Sequence, residues 1–314
     1  MRALHWFRND LRLLDNTSIA ALTERAGQWA PVFVLDPRFM RDSGTPRVRF
    51  LLDCLVRLEK DLAQRGVTLC VREGLPEQVM PALIRESGAE LLSFAEADTP
   101  LARRRDEGVI RRVEGMGAEV LVVRDHTVFG PDEVLTRQGK HYAVYTPYRN
   151  AWWTRWEEAP RRGASSVRLP AGSFVLDECE GCSVSERLRV WEQKRGPAIP
   201  TGGERAARRR LERFLSEAIE HYATDRDRPD REGTSRLSPH LRFGTISVRT
   251  CFDRALAHAE AFPAASEGVR KWLDELIWRE FYAMTLATTP HVLSRNQRPE
   301  YDALEWNDSD AWFE

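Results

Sequence analysis

Five short apolar runs punctuate the first 125 residues, at positions 3–7, 32–35, 68–71, 90–94 and 119–123. Each is four or five residues long and bounded by Gly, Asp or Arg, the pattern of a buried strand. Helical patterns separate them, near 17–25, 46–64, 76–86 and 100–116. Over 46–64 the residues Val48, Leu51, Leu52, Leu55, Leu58 and Leu62 recur at the spacing of one helix face. Strand and helix alternating five times predict a doubly wound, five-stranded parallel sheet in an α/β fold.

The alternation breaks near residue 129. From there to 200 the chain carries Gly, Pro, Ser and isolated aromatics, with one short helix expected around 148–157. A stretch of that length reads as a connector. After Gly202 only helical patterns follow, at 206–220, 247–260 and 269–287. The expected organisation is an α/β unit over 1–130, a connector over 131–200 and an all-helical unit over 201–314. Asn307-Asp308-Ser309-Asp310 before Ala311-Trp312-Phe313 looks like a helix start about one turn from the last residue. One turn alone is not a stable helix, so the expectation is a frayed tail or a piece of a longer protein.

Composition narrows the class without naming a function. With 42% hydrophobic and 30% charged residues the 314-residue chain is neither disordered nor collagen-like. No apolar run is long enough to cross a membrane and no signal peptide is evident, so the cytoplasm is the default. A net charge of −1 requires any nucleic-acid site to be a local basic patch. Only four of the 47 basic residues are lysine. Coding bias is the simpler explanation, and phosphate recognition needs positional support. Cys179 and Cys182 form the one close cysteine pair, too few for a zinc site, so no metal is expected. The loop after the first run, Arg8-Asn9-Asp10-Leu11-Arg12, lacks glycine, and no G-x-G-x-x-G follows any run, which argues against an ordinary NAD site.

Two segments carry candidate chemistry. In Gly233-Thr234-Ser235-Arg236-Leu237-Ser238-Pro239, Ser238 before proline suits an N-cap. The hydroxyls with Arg236 at a helix entry also suit a phosphate. Upstream lie Tyr222 and Arg226. In the helix from Lys271 to Tyr282, Leu273, Leu276, Ile277, Phe281 and Met284 form a core stripe. Trp272, Glu275, Trp278, Arg279 and Tyr282 recur on another face. A solvated Glu275–Arg279 pair is the simpler reading. Two tryptophans on that face favour a cleft for a planar ligand.

At these residues the sequence resembles the DNA photolyase and cryptochrome family, most nearly a bacterial class I photolyase. The resemblance runs through Trp6-Phe7-Arg8-Asn9-Asp10-Leu11-Arg12-Leu13-Leu14-Asp15-Asn16, Tyr145-Thr146-Pro147-Tyr148-Arg149-Asn150-Ala151-Trp152, Gly244-Thr245-Ile246-Ser247 with Arg249, and the two segments above. It implies a monomeric, FAD-dependent deoxyribodipyrimidine photo-lyase, with damaged DNA as partner, that splits cyclobutane pyrimidine dimers by light-driven electron transfer. The flavin supplies that chemistry and the protein its binding and orientation.

By the same resemblance Tyr222, Thr234, Ser235, Arg236, Leu237, Ser238 and Trp272 are FAD contacts. Glu275 is the carboxyl on the dimer, Trp278 the aromatic wall, and Trp306 the outer tryptophan of a photoreduction chain. Arg226, Glu275, Trp278, Arg279 and Tyr282 face DNA. Ala102 stands where folate-using relatives carry glutamate, before Arg103-Arg104-Arg105-Asp106. That weighs against a folate antenna and leaves a deazaflavin, another flavin or none. The family's flavin domain continues past Glu314, so the resemblance implies a C-terminally truncated chain lacking the ring side of the FAD pocket. The alternatives are a cryptochrome-like photoreceptor and an inactive truncated remnant.

Overall fold

The computed structural model describes residues 1–97, 99–160, 163, 166–176 and 183–305. Cys179, Cys182, Trp306 and the helix start near 310 lie outside the described residues. The order of elements is β1 (Arg2–Phe7), α1 (Thr17–Thr23), β2 (Gln28–Leu35), α2 (Pro37–Asp42), α3 (Thr45–Ala63), β3 (Cys70–Glu73), α4 (Pro76–Ser87), β4 (Leu91–Ala95), α5 (Pro100–Glu114), β5 (Glu119–Val123), α6 (Tyr145–Glu158), β6 (Gly172–Ser173), α7 (Val184–Glu192), α8 (Glu204–Glu217), α9 (Tyr222–Asp225), α10 (Ser238–Phe243), α11 (Val248–Ala261) and α12 (Ser266–Thr288).

The strands pair in the order β3-β2-β1-β4-β5, all parallel, with helices between them. This is the expected doubly wound sheet. Alternate residues of β1 feed opposite faces: Ala3 and Phe7 join the side covered by α3, while Leu4 and Trp6 join the side covered by α4 and α5. The predicted stripe of α3 is buried throughout. A sixth strand was not anticipated. β3 pairs only with Val32–Leu35 of β2, which leaves the start of β2 with an open edge. β6 takes that edge through Gln28 and Trp29.

The stretch after β5 contributes to both cores. Val128, Phe129 and Val134, with Tyr148, Trp152, Trp153 and Trp156 of α6, pack into the helical core beside α8, α11 and α12. Val184, Leu188 and Trp191 of α7 pack instead against the α3 side of the sheet. α7 is a second unanticipated element, started by the Ser183 hydroxyl accepting from Glu186 N.

A buried ionic seam joins the sheet to the helical unit. Arg12 and Arg249 both donate to Asp125, Arg12 at 2.7 Å and Arg249 at 3.1 Å. Arg249 also reaches Asp15 at 3.1 Å, and Ser247 donates to Asp15. Asp125 further accepts from Thr17 N at 3.1 Å and Thr17 Oγ1 at 2.9 Å. Its two guanidiniums hold the Asp125 carboxyl well below the usual carboxylate range, against the opposing effect of burial. Gly244, at φ 63°, lets the turn after α10 close onto the Asn9–Asp10 backbone. A Cβ there would lie 1.9 Å from Asn9 O.

Candidate functional site

α12 organises the site because its sides meet different neighbours. Its inner stripe of Leu273, Leu276, Ile277, Phe281 and Met284 is buried, as its spacing predicts. Trp272 belongs to that stripe too, not to the outer face expected for it. It is 3% exposed and packs on Phe214 of α8, with ring centroids 5.2 Å apart. The position one residue before Leu273 and four before Leu276 accounts for this.

Two carboxylates of α12 point inward as well, which residue spacing alone does not predict. Asp274 accepts from Trp153 Nε1 at 2.9 Å and pairs with Arg149 at 3.3 Å. Its backbone carbonyl accepts from Tyr145 Oη at 2.6 Å. Glu280 accepts from Trp152 Nε1 at 2.7 Å, Val128 N at 2.8 Å and Phe129 N at 2.9 Å. Burial pushes the Glu280 carboxyl up despite these donors. Together the two acids clamp α6 against α12, since buried indole N–H groups require acceptors.

The clamp sets the outer face. Tyr145, at the start of α6, lies flat on Trp278 with centroids 3.4 Å apart and planes 11° from parallel. Tyr282, one turn on and 63% exposed, continues the aromatic ladder at 5.5 Å. Beside the ladder Glu275 forms an ion pair with Arg226, the residue that follows α9. Both side chains are partly exposed, 24% for Arg226 and 32% for Glu275. The Arg226 guanidinium also lies 5.7 Å from the Tyr222 ring. Burial pushes the Tyr222 hydroxyl up to about 12, so it stays a neutral donor. Tyr145 is shifted the same way by burial, with Asp274 and Glu275 adding to the effect.

Arg279 behaves differently from its neighbours on the helix. Its guanidinium donates to His126 O at 2.7 Å and to Leu241 O at 3.4 Å. The structure therefore places it at the contact between α12, α10 and the turn after β5, away from the role of a surface arginine. The simple Glu275–Arg279 helix pair does not form, because Glu275 pairs with Arg226.

The hydroxyl-rich loop is tied to the same patch through α9. Gly233 packs so closely that a Cβ would fall 2.5 Å from Asp225 Cβ. Thr234, Arg236 and Ser238 are exposed and Ser235 is half-buried. Arg236 adopts φ 49° and its guanidinium meets Glu232 at 2.7 Å. Leu237, 1% exposed, is the residue that caps α10, and the helix begins at Ser238, one residue earlier than expected. Exposed hydroxyls beside an arginine form a donor set suited to phosphate oxygens. Burial pushes His240, behind the loop, down to about 4, so it is neutral and bonds Thr245 Oγ1 at 2.8 Å.

The motif Gly244-Thr245-Ile246-Ser247 with Arg249 falls in the ionic seam, not in this patch. The structure thus brings together Tyr222, Arg226, Glu275, Trp278 and Tyr282 and joins the 233–238 loop to them. It adds Tyr145, Arg149 and Asp274, and it leaves Trp272 in the core and Arg279 at the seam. Tyr145 and Arg149 stand in one of the segments that carry the family resemblance, but nothing in the sequence joined that segment to the face of α12. Among the described residues no group of three or more His, Cys, Asp or Glu could hold a metal ion, and no helix is long and apolar enough to cross a membrane.

Comparisons with known proteins agree with one another. Residues 3–165 match the DNA photolyase family model. The deoxyribodipyrimidine photo-lyase of Halobacterium salinarum is 33% identical over 98% of this chain, which covers 66% of that protein. A bacterial class III photolyase from Agrobacterium tumefaciens superimposes with a TM-score of 0.81 at 26% identity, over 99% of this chain and 64% of that one. An archaeal photolyase from Sulfolobus tokodaii, solved with two FAD molecules, gives 0.75 at 25% identity, over 100% of this chain and 66% of that one. The chain thus spans about 65% of the length of the Halobacterium photo-lyase and of a Synechococcus one. With the family model covering more than half of its residues, the chain belongs to the DNA photolyase family.

Proposed function

We propose that the α9–α12 patch serves light-driven, FAD-dependent repair of cyclobutane pyrimidine dimers in DNA. The observation that carries this reading is the meeting of a partly exposed carboxylate–arginine pair with a stacked aromatic ladder on one surface. A flipped-out pyrimidine pair needs an apolar wall and a polar edge, and unstacking it costs a few kcal/mol that such contacts offset. Trp278, held flat by Tyr145, supplies the wall. Glu275 accepts hydrogen bonds from the ring edge, and Arg226 with Tyr282 borders the backbone. Thr234, Ser235, Arg236 and Ser238 hold the FAD phosphates, with Leu237 fixing the loop from below. Tyr222 borders the cofactor site, and Trp272 stiffens it from the core. Reduced FAD, when bound, supplies the light-absorbing electron donor.

The same reading divides the chain into an α/β unit over 1–130, a linking stretch over 131–200 and a helical FAD-binding unit from 201, working as a monomer. The Sulfolobus relative with two FAD molecules supports a second flavin as antenna.

The test supplies FAD and reductant to the full-length protein, translated from its whole reading frame, with an oligonucleotide carrying one thymine dimer, and follows dimer loss under blue light and in the dark. Light-dependent loss is expected, slowed about tenfold or more by Glu275→Gln, because a hydrogen bond to a charged group contributes about 1.5–3 kcal/mol. A protein that binds FAD and responds to light while leaving dimers intact would be a photoreceptor, and the repair reading would fall.

A further inference from the structure

We infer that the Arg226–Glu275 pair is a specificity latch, in which Glu275 withholds Arg226 from DNA phosphates until a lesion engages the carboxylate. This rests on the proposed reading of the patch as the lesion site. The pair bridges the end of α9 and the middle of α12. Neighbouring acids are already committed elsewhere: Asp225 to Arg231 at 2.8 Å, and Asp274 to Trp153 and Arg149. Arg226 has one further acidic contact, the exposed Asp227 at 3.4 Å, so Glu275 is its principal partner.

Both members of the pair reach solvent, so a phosphate oxygen can replace the carboxylate on the guanidinium. That exchange leaves Glu275 unpaired and partly desolvated, which is unfavourable. Undamaged backbone offers the carboxylate no compensating partner. An extruded pyrimidine does, because its ring N–H donates to the carboxylate as the guanidinium departs. Arg226 and Glu275 together thus discriminate by penalising the wrong ligand as well as by attracting the right one.

The test measures equilibrium binding of wild type, Glu275→Gln and the double variant Glu275→Gln/Arg226→Ala to two duplexes that differ only in one thymine dimer, across a salt series. Thermal melts and FAD binding confirm that each variant is folded. The latch predicts that Glu275→Gln binds undamaged duplex about three- to tenfold more tightly. The slope of log K against log salt should steepen by about 0.9, the signature of one added phosphate contact. The double variant should lose both effects. Unchanged or weaker binding of Glu275→Gln to undamaged duplex, with an unchanged slope, would overturn the latch. A wild type with no preference for the dimer duplex and no light-dependent dimer loss would instead overturn the repair reading. The two failures are read on different duplexes.

Discussion

Asp125 ties the sheet to the helical unit through two arginines. It is 1% exposed and carries Arg12, Arg249 and the start of α1 at once. Asp125→Asn keeps the shape and removes the charge, leaving Arg249 with Asp15 and Arg12 with the fields of Asp15 and Asp10. Removing one partner from a buried ion pair costs about 3–5 kcal/mol. At about 2 °C per kcal/mol for a chain of this size, the melt should fall by roughly 6–10 °C. Urea unfolding at pH 7 measures the difference directly.

The pH dependence supplies a second check with a definite sign. The folded carboxyl titrates below the unfolded one, which sits near about 3.9. Above that value both states are ionised and the stabilisation is fully present. As pH falls through it the unfolded chain takes up the proton first, and stability is lost progressively toward the folded value. The asparagine variant has no such term, so its deficit should shrink below about pH 4. Arg249→Met combined with Asp125→Asn should cost less than the two singles added, because they share one interaction. A deficit under about 1 kcal/mol at pH 7, or one that grows on acidification, would refute this account of the seam.

Gly244→Ala forces a Cβ onto the Asn9 carbonyl at positive φ and should cost about 2–5 kcal/mol in a thermal melt. Gly139→Ala, also at positive φ (73°) but with nothing within 4 Å, should cost only about 1 kcal/mol. Tyr145→Leu removes the stack under Trp278 and should weaken binding of dimer duplex about three- to tenfold while sparing undamaged duplex, since an aromatic pair contributes about 0.5–1.5 kcal/mol. Tyr145→Phe keeps the stack and should restore that preference. Equal losses on both duplexes would mean that Tyr145 only holds α6 in place.

The sheet was legible because each strand is a short apolar run with a turn on either side, and α3 because its stripe faces one core only. β6 was not, because two residues carry no period; a vacant strand edge, invisible in sequence, creates it. α7 was missed because Leu188 and Trp191 stand among charged residues and are half-buried against the core that α3 helps to form, some 130 positions away. Within the site, periodicity placed Glu275 and Trp278 together but said nothing of Arg226, which arrives from α9. Asp274 and Glu280 belong to neither face that the spacing of α12 distinguishes, and the indoles of α6 explain why they are buried. Residue spacing along one helix reports which side chains share a face; it does not report what the neighbouring helix brings to that face.

The place of the chemistry follows from the seam. A parallel sheet usually binds ligands where its strand order reverses, here between β1 and β4. In this fold the protein's own side chains line that region. Arg8 pairs with Asp106 at 2.5 Å and lies over the Trp6 and Phe94 rings, while the loop that follows brings Asp15 onto Arg249 of α11 and Arg12 onto the Gly244 carbonyl. That loop has no glycine to bring its backbone against a phosphate. The hydroxyls and the exposed arginine lie instead in the 233–238 loop that leads into α10, and the aromatic ladder lies on α6 and α12. The sheet's contribution is therefore mechanical. Through Asp125 and Gly244 it fixes α10 and α11, and through the Val128 and Phe129 amides on Glu280 it fixes α12. Substitutions in the seam should therefore act on site geometry and stability together, whereas substitutions of Glu275 or Arg226 should act on recognition with the fold intact.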